Sequence, residues 1–225
     1  MFIKGEGAKA RTERVHEIMR RMDSRYGAEP PIFLQHQNAW QLLFATILSA
    51  QCTDARVNMV TEQLYRKYRS LQDFADCQLS ELEQDIKSTG FYHNKAKNIK
   101  ACAGELLQRF HGTVPQTIEE LTSLPGVGRK TGNLILGNIY GKPSIVVDTH
   151  VKRISNRLGL ADSADPTKVE FQLQEVLPKE YWVRWNTHII SLGRAICTSQ
   201  RPKCGECYLS ELCPSREHDP ETWRS

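Results

Sequence analysis

Four cysteines near the C-terminal end, Cys197-x6-Cys204-x2-Cys207-x5-Cys213, constrain this chain more than any other feature. Thiols this close together in sequence can surround one metal centre, which then staples a segment too short to bury a core of its own. Thiolates hold either zinc or an iron–sulfur cluster. Zinc sites usually pair two tight Cys-x2-4-Cys knuckles, and here only Cys204 and Cys207 make such a pair. Cys197 and Cys213 stand apart, which suits a larger cubane better than one small ion, with zinc as the alternative. The loop between the first two cysteines carries Arg201 and Lys203, placed to meet a phosphate if a bound cluster holds the loop tight.

No segment approaches the ~18 apolar residues of a membrane span, and no signal-peptide pattern opens the chain. The expected setting is therefore the reducing cytoplasm, where disulfides are rare and a metal role for clustered cysteines is the default. Cys52, Cys77 and Cys102 are scattered and read as small core residues. Apolar residues make up 40% of the 225 and charged residues 25%, an ordinary balance for a globular chain able to bury a core. The net charge of +4 permits a polyanionic partner without requiring one. Locally, Lys142, Lys152, Arg153 and Arg157 face one acid, Asp148, within one short stretch.

The fold class predicted by periodicity is all-α. Helices are expected over 12–26, 39–50, 54–68, 71–76, 79–87, 92–110, 116–123, 129–140, 148–158, 166–176 and 179–197. Residues 39–50 are apolar on nearly every side, as in a central buried helix. Ser144-Ile145-Val146-Val147 is a lone β-like run, and Pro214 to Ser225 reads as a frayed end.

A second signal is Leu124-Pro125-Gly126-Val127-Gly128-Arg129-Lys130-Thr131, between two short predicted helices. Glycines at 126 and 128 let the backbone turn sharply and approach a ligand closely. The helix that follows begins with unpaired N–H groups and a positive dipole end, which can hold a phosphate oxygen. Such a contact positions a nucleic-acid backbone without reading its sequence. Lys130 sits in that first turn beside Arg129, where an extra positive charge is disfavoured and the free amine favoured. A free amine is a nucleophile able to form a Schiff base with a sugar aldehyde; a phosphate-contacting lysine is the equal alternative. Asp148 stands 18 residues later at the start of another helix. It reads as an N-cap, and a cap also fixes a carboxylate in place to assist a nucleophile. His150 reads as a packed or backbone-contacting residue.

Together these motifs resemble the endonuclease III family, within the helix-hairpin-helix superfamily of base-excision DNA glycosylases. Val147-Asp148-Thr149-His150-Val151, Leu48-Ser49-Ala50-Gln51-x-Thr53-Asp54 and Gly90-Phe91-Tyr92-x-x-Lys95-Ala96 carry the resemblance further, and it runs from about residue 14 to 215. It implies a six-helix domain over 32–142 and a cluster domain made of 1–31 with 143–225, with double-stranded DNA bound in the cleft between them. It implies a largely structural [4Fe–4S] cluster on Cys197, Cys204, Cys207 and Cys213, Lys130 as nucleophile and Asp148 as its partner. Gln51 would fill the space left by a flipped-out nucleotide, and Phe91, otherwise a core aromatic, would wedge between bases. Gly126, Val127, Gly128, Arg129, His150, Arg201 and Lys203 are the further expected DNA contacts. The implied activity is that of a monomeric glycosylase and AP lyase acting on oxidised pyrimidines. The chain departs from the family pattern at Thr122, where relatives often carry an acid, and at Phe91, where an aliphatic residue is commoner. A monofunctional adenine glycosylase would carry a glutamate where this chain has Ala45. A non-catalytic DNA-binding or redox-sensing protein would leave the spacing of Lys130 and Asp148 unexplained.

Overall fold

The computed structural model describes residues 6–28 and 33–217. Its helices run in the order α1 (Ala8–Tyr26), α2 (Ala39–Leu48), α3 (Asp54–Lys67), α4 (Leu71–Asp76), α5 (Leu79–Asp85), α6 (Tyr92–Phe110), α7 (Ile118–Thr122), α8 (Arg129–Tyr140), α9 (Thr149–Arg157), α10 (Pro166–Val176) and α11 (Trp182–Ala195), joined by short 3₁₀ turns. No strand occurs among the described residues. The chain divides into two compact units, Ile32–Lys142 and a second made of Met1–Pro31 with Pro143–Ser225.

The Ile32–Lys142 unit is built around α2. Leu42, Leu43, Phe44, Ala45 and Leu48 are all fully buried, so the helix is enclosed on every side, as its unbroken apolar run predicts. Phe74 and Trp40 pack against Phe44 at ring separations of 5.0 and 5.7 Å. The unit holds seven α-helices among the described residues, with Cys77 and Gln78 separating α4 from α5 where the sequence sets one helix over 71–76 and the next from 79. Cys77 takes an extended conformation there, and Lys100 donates to the carbonyls of Ala75 and Cys77 at 2.7 and 2.6 Å. Cys102 is buried as expected, whereas Cys52 and Cys77 are only half-buried.

The other unit packs α1, α9, α10 and α11 around Trp185, whose indole N–H donates to Ser155 at 3.2 Å. Val15, Ile18 and Met22 supply the apolar stripe of α1. The 144–147 run is not a strand. Ile145 and Val147 are buried in this core, and Asn186 donates to the Val146 carbonyl at 3.2 Å, a side chain doing what a partner strand would otherwise do. The predicted 179–197 helix starts as a 3₁₀ turn, Lys179–Tyr181, and ends at Ala195, which leaves Cys197 outside it. The end expected to fray forms a 3₁₀ turn over Pro214–Glu217, with Ser215 donating to the Arg157 carbonyl at 2.8 Å; residues 218–225 lie outside the described residues.

His188 is fully buried in this unit, bonded to Tyr181 at 2.9 Å and to the Gly27 carbonyl at 2.9 Å. Burial pushes its pKa below the ordinary 6.5, although the Gly27 carbonyl and Asp23 pull the other way. The unfolded chain therefore takes up the proton first as pH falls through about 6.5, so this contribution is present above that value and lost below it. Between about pH 7.5 and about pH 5, the wild type is expected to lose more unfolding free energy than His188→Gln, measured by denaturant titration at each pH.

Candidate iron–sulfur site and nucleic-acid interface

The segment from Cys197 to Glu217 forms no helix longer than one 3₁₀ turn. Backbone turns satisfy some of its carbonyls, and arginines from α9 and α1 hold five others. Arg157, near the end of α9 and 7% exposed, donates to the carbonyls of Thr198 and Ser199 at 2.6 and 2.7 Å and to the Cys197 sulfur at 3.3 Å. Arg153, one turn earlier, donates to the Cys197 carbonyl at 2.9 Å. From α1, Arg14 reaches Leu212 at 3.3 Å and Arg21 reaches Tyr208 at 2.7 Å. Arg153 and Arg157, which in sequence belong to a basic stretch suited to a polyanion, thus turn inward to the cysteine segment.

All four cysteines line one pocket enclosing about 460 Å³ of empty space, part of it open to solvent. Ile154, Leu158, Leu192 and Leu209 form its apolar walls. Among the described residues no three Cys, His, Asp or Glu side chains are grouped closely enough to hold a single metal ion. Burial pushes the thiol pKa of Cys207 up and that of Cys213 up to about 11. Backbone N–H groups work against that burial, Leu209 bonding Cys207 and Ser215 bonding Cys213. Together with the Arg157 guanidinium on Cys197, these are the donors that anionic sulfur needs. The donor set and the apolar walls fit a polynuclear cluster. Arg201 and Lys203 are both exposed on the 198–203 loop that Arg157 clamps.

Asp148 caps α9, its Oδ1 accepting from the Val151 N–H at 2.8 Å. Among the described residues no hydrogen bond falls on Oδ2, so the cap fixes one oxygen and leaves the other available. His150 lies in the first turn, with Arg153 3.3 Å from its Nδ1. A Cβ on Gly193 of α11 would stand 2.3 Å from that Nδ1, so the imidazole rests directly on the glycine.

In the other unit, α7 and α8 form a hairpin through Leu124–Gly128. Gly126 takes φ +76°, and a Cβ there would meet the Asn98 Cβ at 2.8 Å, so only glycine lets this turn sit against α6. Val127 anchors the loop: its side chain is buried and its N–H donates to the Leu124 carbonyl at 3.2 Å. Gly128 is the N-cap of α8 and offers no side-chain acceptor. Helices α2, α3, α4, α7, α9 and α10 are capped by Asn38, Thr53, Ser70, Thr117, Asp148 and Asp165. The first-turn N–H groups of α8 therefore have no side-chain cap, and Lys130 is exposed beside them.

Gln51 and Phe91 share an unusual backbone. With His111 they are the only non-glycine residues of positive φ among the described residues, at +53° and +49°. Such conformations cost roughly 1–2 kcal/mol. Gln51 is exposed in the turn after α2, and Phe91 is 64% exposed at the start of α6, so it is not the core aromatic its residue type suggests. Sequence reasoning missed their common support. Lys95, 4% exposed, donates from Nζ to the carbonyls of Leu48 and Thr89, each at 2.8 Å. Arg153, Arg157 and Gly193 were missed as well, because their partners lie tens of residues away in sequence.

Comparison with known proteins agrees with this geometry. A profile described as HhH-GPD superfamily base excision DNA repair protein matches residues 44–179, and one described as the iron-sulfur binding domain of endonuclease III matches 197–213. Endonuclease III of a Synechocystis species is 48% identical over 82% of this chain and 84% of its own length. The chain belongs to the endonuclease III family. The Bacillus subtilis member is 46% identical over 80% of this chain and 83% of its own. A solved structure titled as a trapped endonuclease III–DNA covalent intermediate, an estranged-adenine complex, superposes with a TM-score of 0.85 at 42% identity, covering 91% of this chain and 96% of that one. The fold is thus the all-α helix-hairpin-helix glycosylase fold, and the Cys197–Cys213 segment is an iron–sulfur binding domain.

Two outcomes test these assignments. Arg157→Met is expected to leave the Thr198 and Ser199 carbonyls unpaired, cost about 3 kcal/mol of unfolding free energy and lower the iron bound per chain, read by denaturant titration and iron assay. Gly126→Ala is expected to destabilise by about 2 kcal/mol through its left-handed φ and the Asn98 contact, read from the same titration.

Proposed function

We propose that this chain, a DNA N-glycosylase and AP lyase by family, removes oxidised pyrimidines from duplex DNA and then cuts the strand through a Schiff base on Lys130. The observation that carries the reading is an exposed lysine in the first turn of a helix with no side-chain cap, directly after a hairpin turn that only glycine can make.

The hairpin binds a DNA phosphate through the N–H groups around Gly126, Gly128 and Arg129, a contact indifferent to base sequence. Arg201 and Lys203 add phosphate contacts from the cluster loop, and His150 adds one beside Asp148. A base inside a duplex is out of reach, so the damaged nucleotide is turned out of the stack. Gln51 occupies the vacated space and Phe91 wedges between neighbouring bases, an exposed apolar ring suited to kinked DNA. The Lys130 amine attacks C1′, the C1′–N bond to the base breaks, and the base leaves with a proton. Asp148, held at Oδ1 by its cap, assists with its other oxygen by accepting the proton from the amine and balancing positive charge on the sugar. Asp148 returns that proton to O4′ as the C1′–O4′ bond breaks and the sugar ring opens to an iminium, which acidifies C2′; loss of the C2′ proton expels the 3′ oxygen by β-elimination, and water then frees the lysine. A [4Fe–4S] cluster on the four cysteines holds the loop that presents Arg201 and Lys203. The protein acts as a monomer on damaged or abasic duplex DNA. Ala45 is fully buried among apolar neighbours, so this position supplies no carboxylate for the monofunctional adenine-glycosylase route.

Borohydride trapping on a duplex with one thymine glycol tests the reading. A covalent adduct is expected with wild type and none with Lys130→Gln. Base release without an adduct in wild type would sink the Schiff-base step and leave a monofunctional glycosylase.

A further inference from the structure

Lys95 is almost wholly buried, and no carboxylate bonds it among the described residues. Burial pushes its pKa down, with only the Cys52 thiol nearby to oppose the shift. A methionine would fill the same space without a charge to desolvate. What the ammonium adds is two hydrogen bonds, and both acceptors are exceptional. The Leu48 carbonyl is the last of α2, and the Thr89 carbonyl is the last of the Lys87–Thr89 3₁₀ turn. Both are helix-end carbonyls, without a helical donor and at the negative end of a dipole, where a cation is favoured. Gln51 follows the first by three residues and Phe91 follows the second by two. Both residues hold left-handed backbones, a conformation that persists only where the surroundings enforce it. The Lys95 main chain joins the same arrangement, its N–H donating to the Phe91 carbonyl at 3.2 Å.

We propose that Lys95 is the positioning residue for DNA insertion: its ammonium ties the turn bearing Gln51 to the turn bearing Phe91, so that both side chains enter the duplex as one rigid pair. The inference rests on the base-excision reading above. It adds that capture of the extruded nucleotide depends on a residue that touches no DNA.

The test uses full-length, cluster-loaded protein and the variant Lys95→Met, with iron content and thermal melting as controls for folding. Three readouts are compared. The first is kcat and KM for a thymine-glycol duplex. The second is cleavage of a single-stranded abasic oligonucleotide, which needs the Lys130 amine but no insertion into a helix. The third is the fluorescence of 2-aminopurine placed opposite a tetrahydrofuran abasic analogue, which reports unstacking of the opposing base. Lys95→Met is expected to lower duplex turnover by about 10–100-fold and to lose the fluorescence rise, with single-stranded cleavage within about twofold of wild type. In a Gln51→Ala/Phe91→Ala background the same change is expected to add less than about twofold, because the residues it positions are already gone. Wild-type duplex turnover and fluorescence in Lys95→Met would overturn the proposal. So would parallel loss of duplex and single-stranded cleavage, which marks a general structural role. Should Lys95→Met melt below the assay temperature, Lys95→Gln, which keeps one of the two bonds, is read against the same outcomes. Failure of wild type to cut the thymine-glycol duplex would instead remove the base-excision reading, and this proposal with it.

Discussion

Guanidinium groups on backbone carbonyls hold together the part of this molecule that has least regular structure. The cysteine segment has no helix of useful length and few ladder hydrogen bonds, so its carbonyls need donors from elsewhere. Arg157, Arg153, Arg14 and Arg21 supply them from α9 and α1. Arginine suits the task because its charge persists when buried and its planar fork meets two acceptors at once. Arg157 does this at Thr198 and Ser199 while also facing the Cys197 sulfur. The helix that carries Asp148 at one end therefore carries the clamp for the cysteine loop at the other. Arg153 lies between them, bonded to the Cys197 carbonyl and facing His150.

The two units solve the same problem in different ways. In each, a turn that breaks regular structure is stabilised by a buried or half-buried cation on carbonyls left over at a helix end or in a loop. Lysines do this in the α2–α8 unit, where Lys95 and Lys100 each join two carbonyls. Arginines do it around the cysteines.

Much of this was legible in the sequence, and the reasons differ by element. The run 39–50 announces a central helix because no face of it is polar, and Thr53 and Asp148 announce helix starts because their side chains can do little else there. The spacing of the cysteines pointed to a cluster before any geometry was known. The left-handed backbones at Gln51 and Phe91 left no mark, since neither residue type favours that conformation and tertiary contacts impose it. Arg153 and Arg157 read as surface charge, and Lys95 only as part of a family motif, because burial of a cation depends on carbonyls that no local pattern reveals. The burial of Val127 also left no mark, since nothing in a turn between two glycines tells that the side chain serves the core. Gly193 carries no signal at all until His150 is seen lying against it.

Gly128 differs from the other glycine of its motif. Its φ of −94° is open to any residue, and a Cβ there would meet nothing within 4 Å. Neither backbone geometry nor packing calls for glycine, and a serine or aspartate in its place would cap α8 and add roughly 1 kcal/mol of stability. That side chain would also occupy the seat at the helix end. On the phosphate contact proposed for this hairpin, the weaker helix is what leaves the anion seat open, and ordinary helix-cap engineering at Gly128 would close that proposed seat while stabilising the protein.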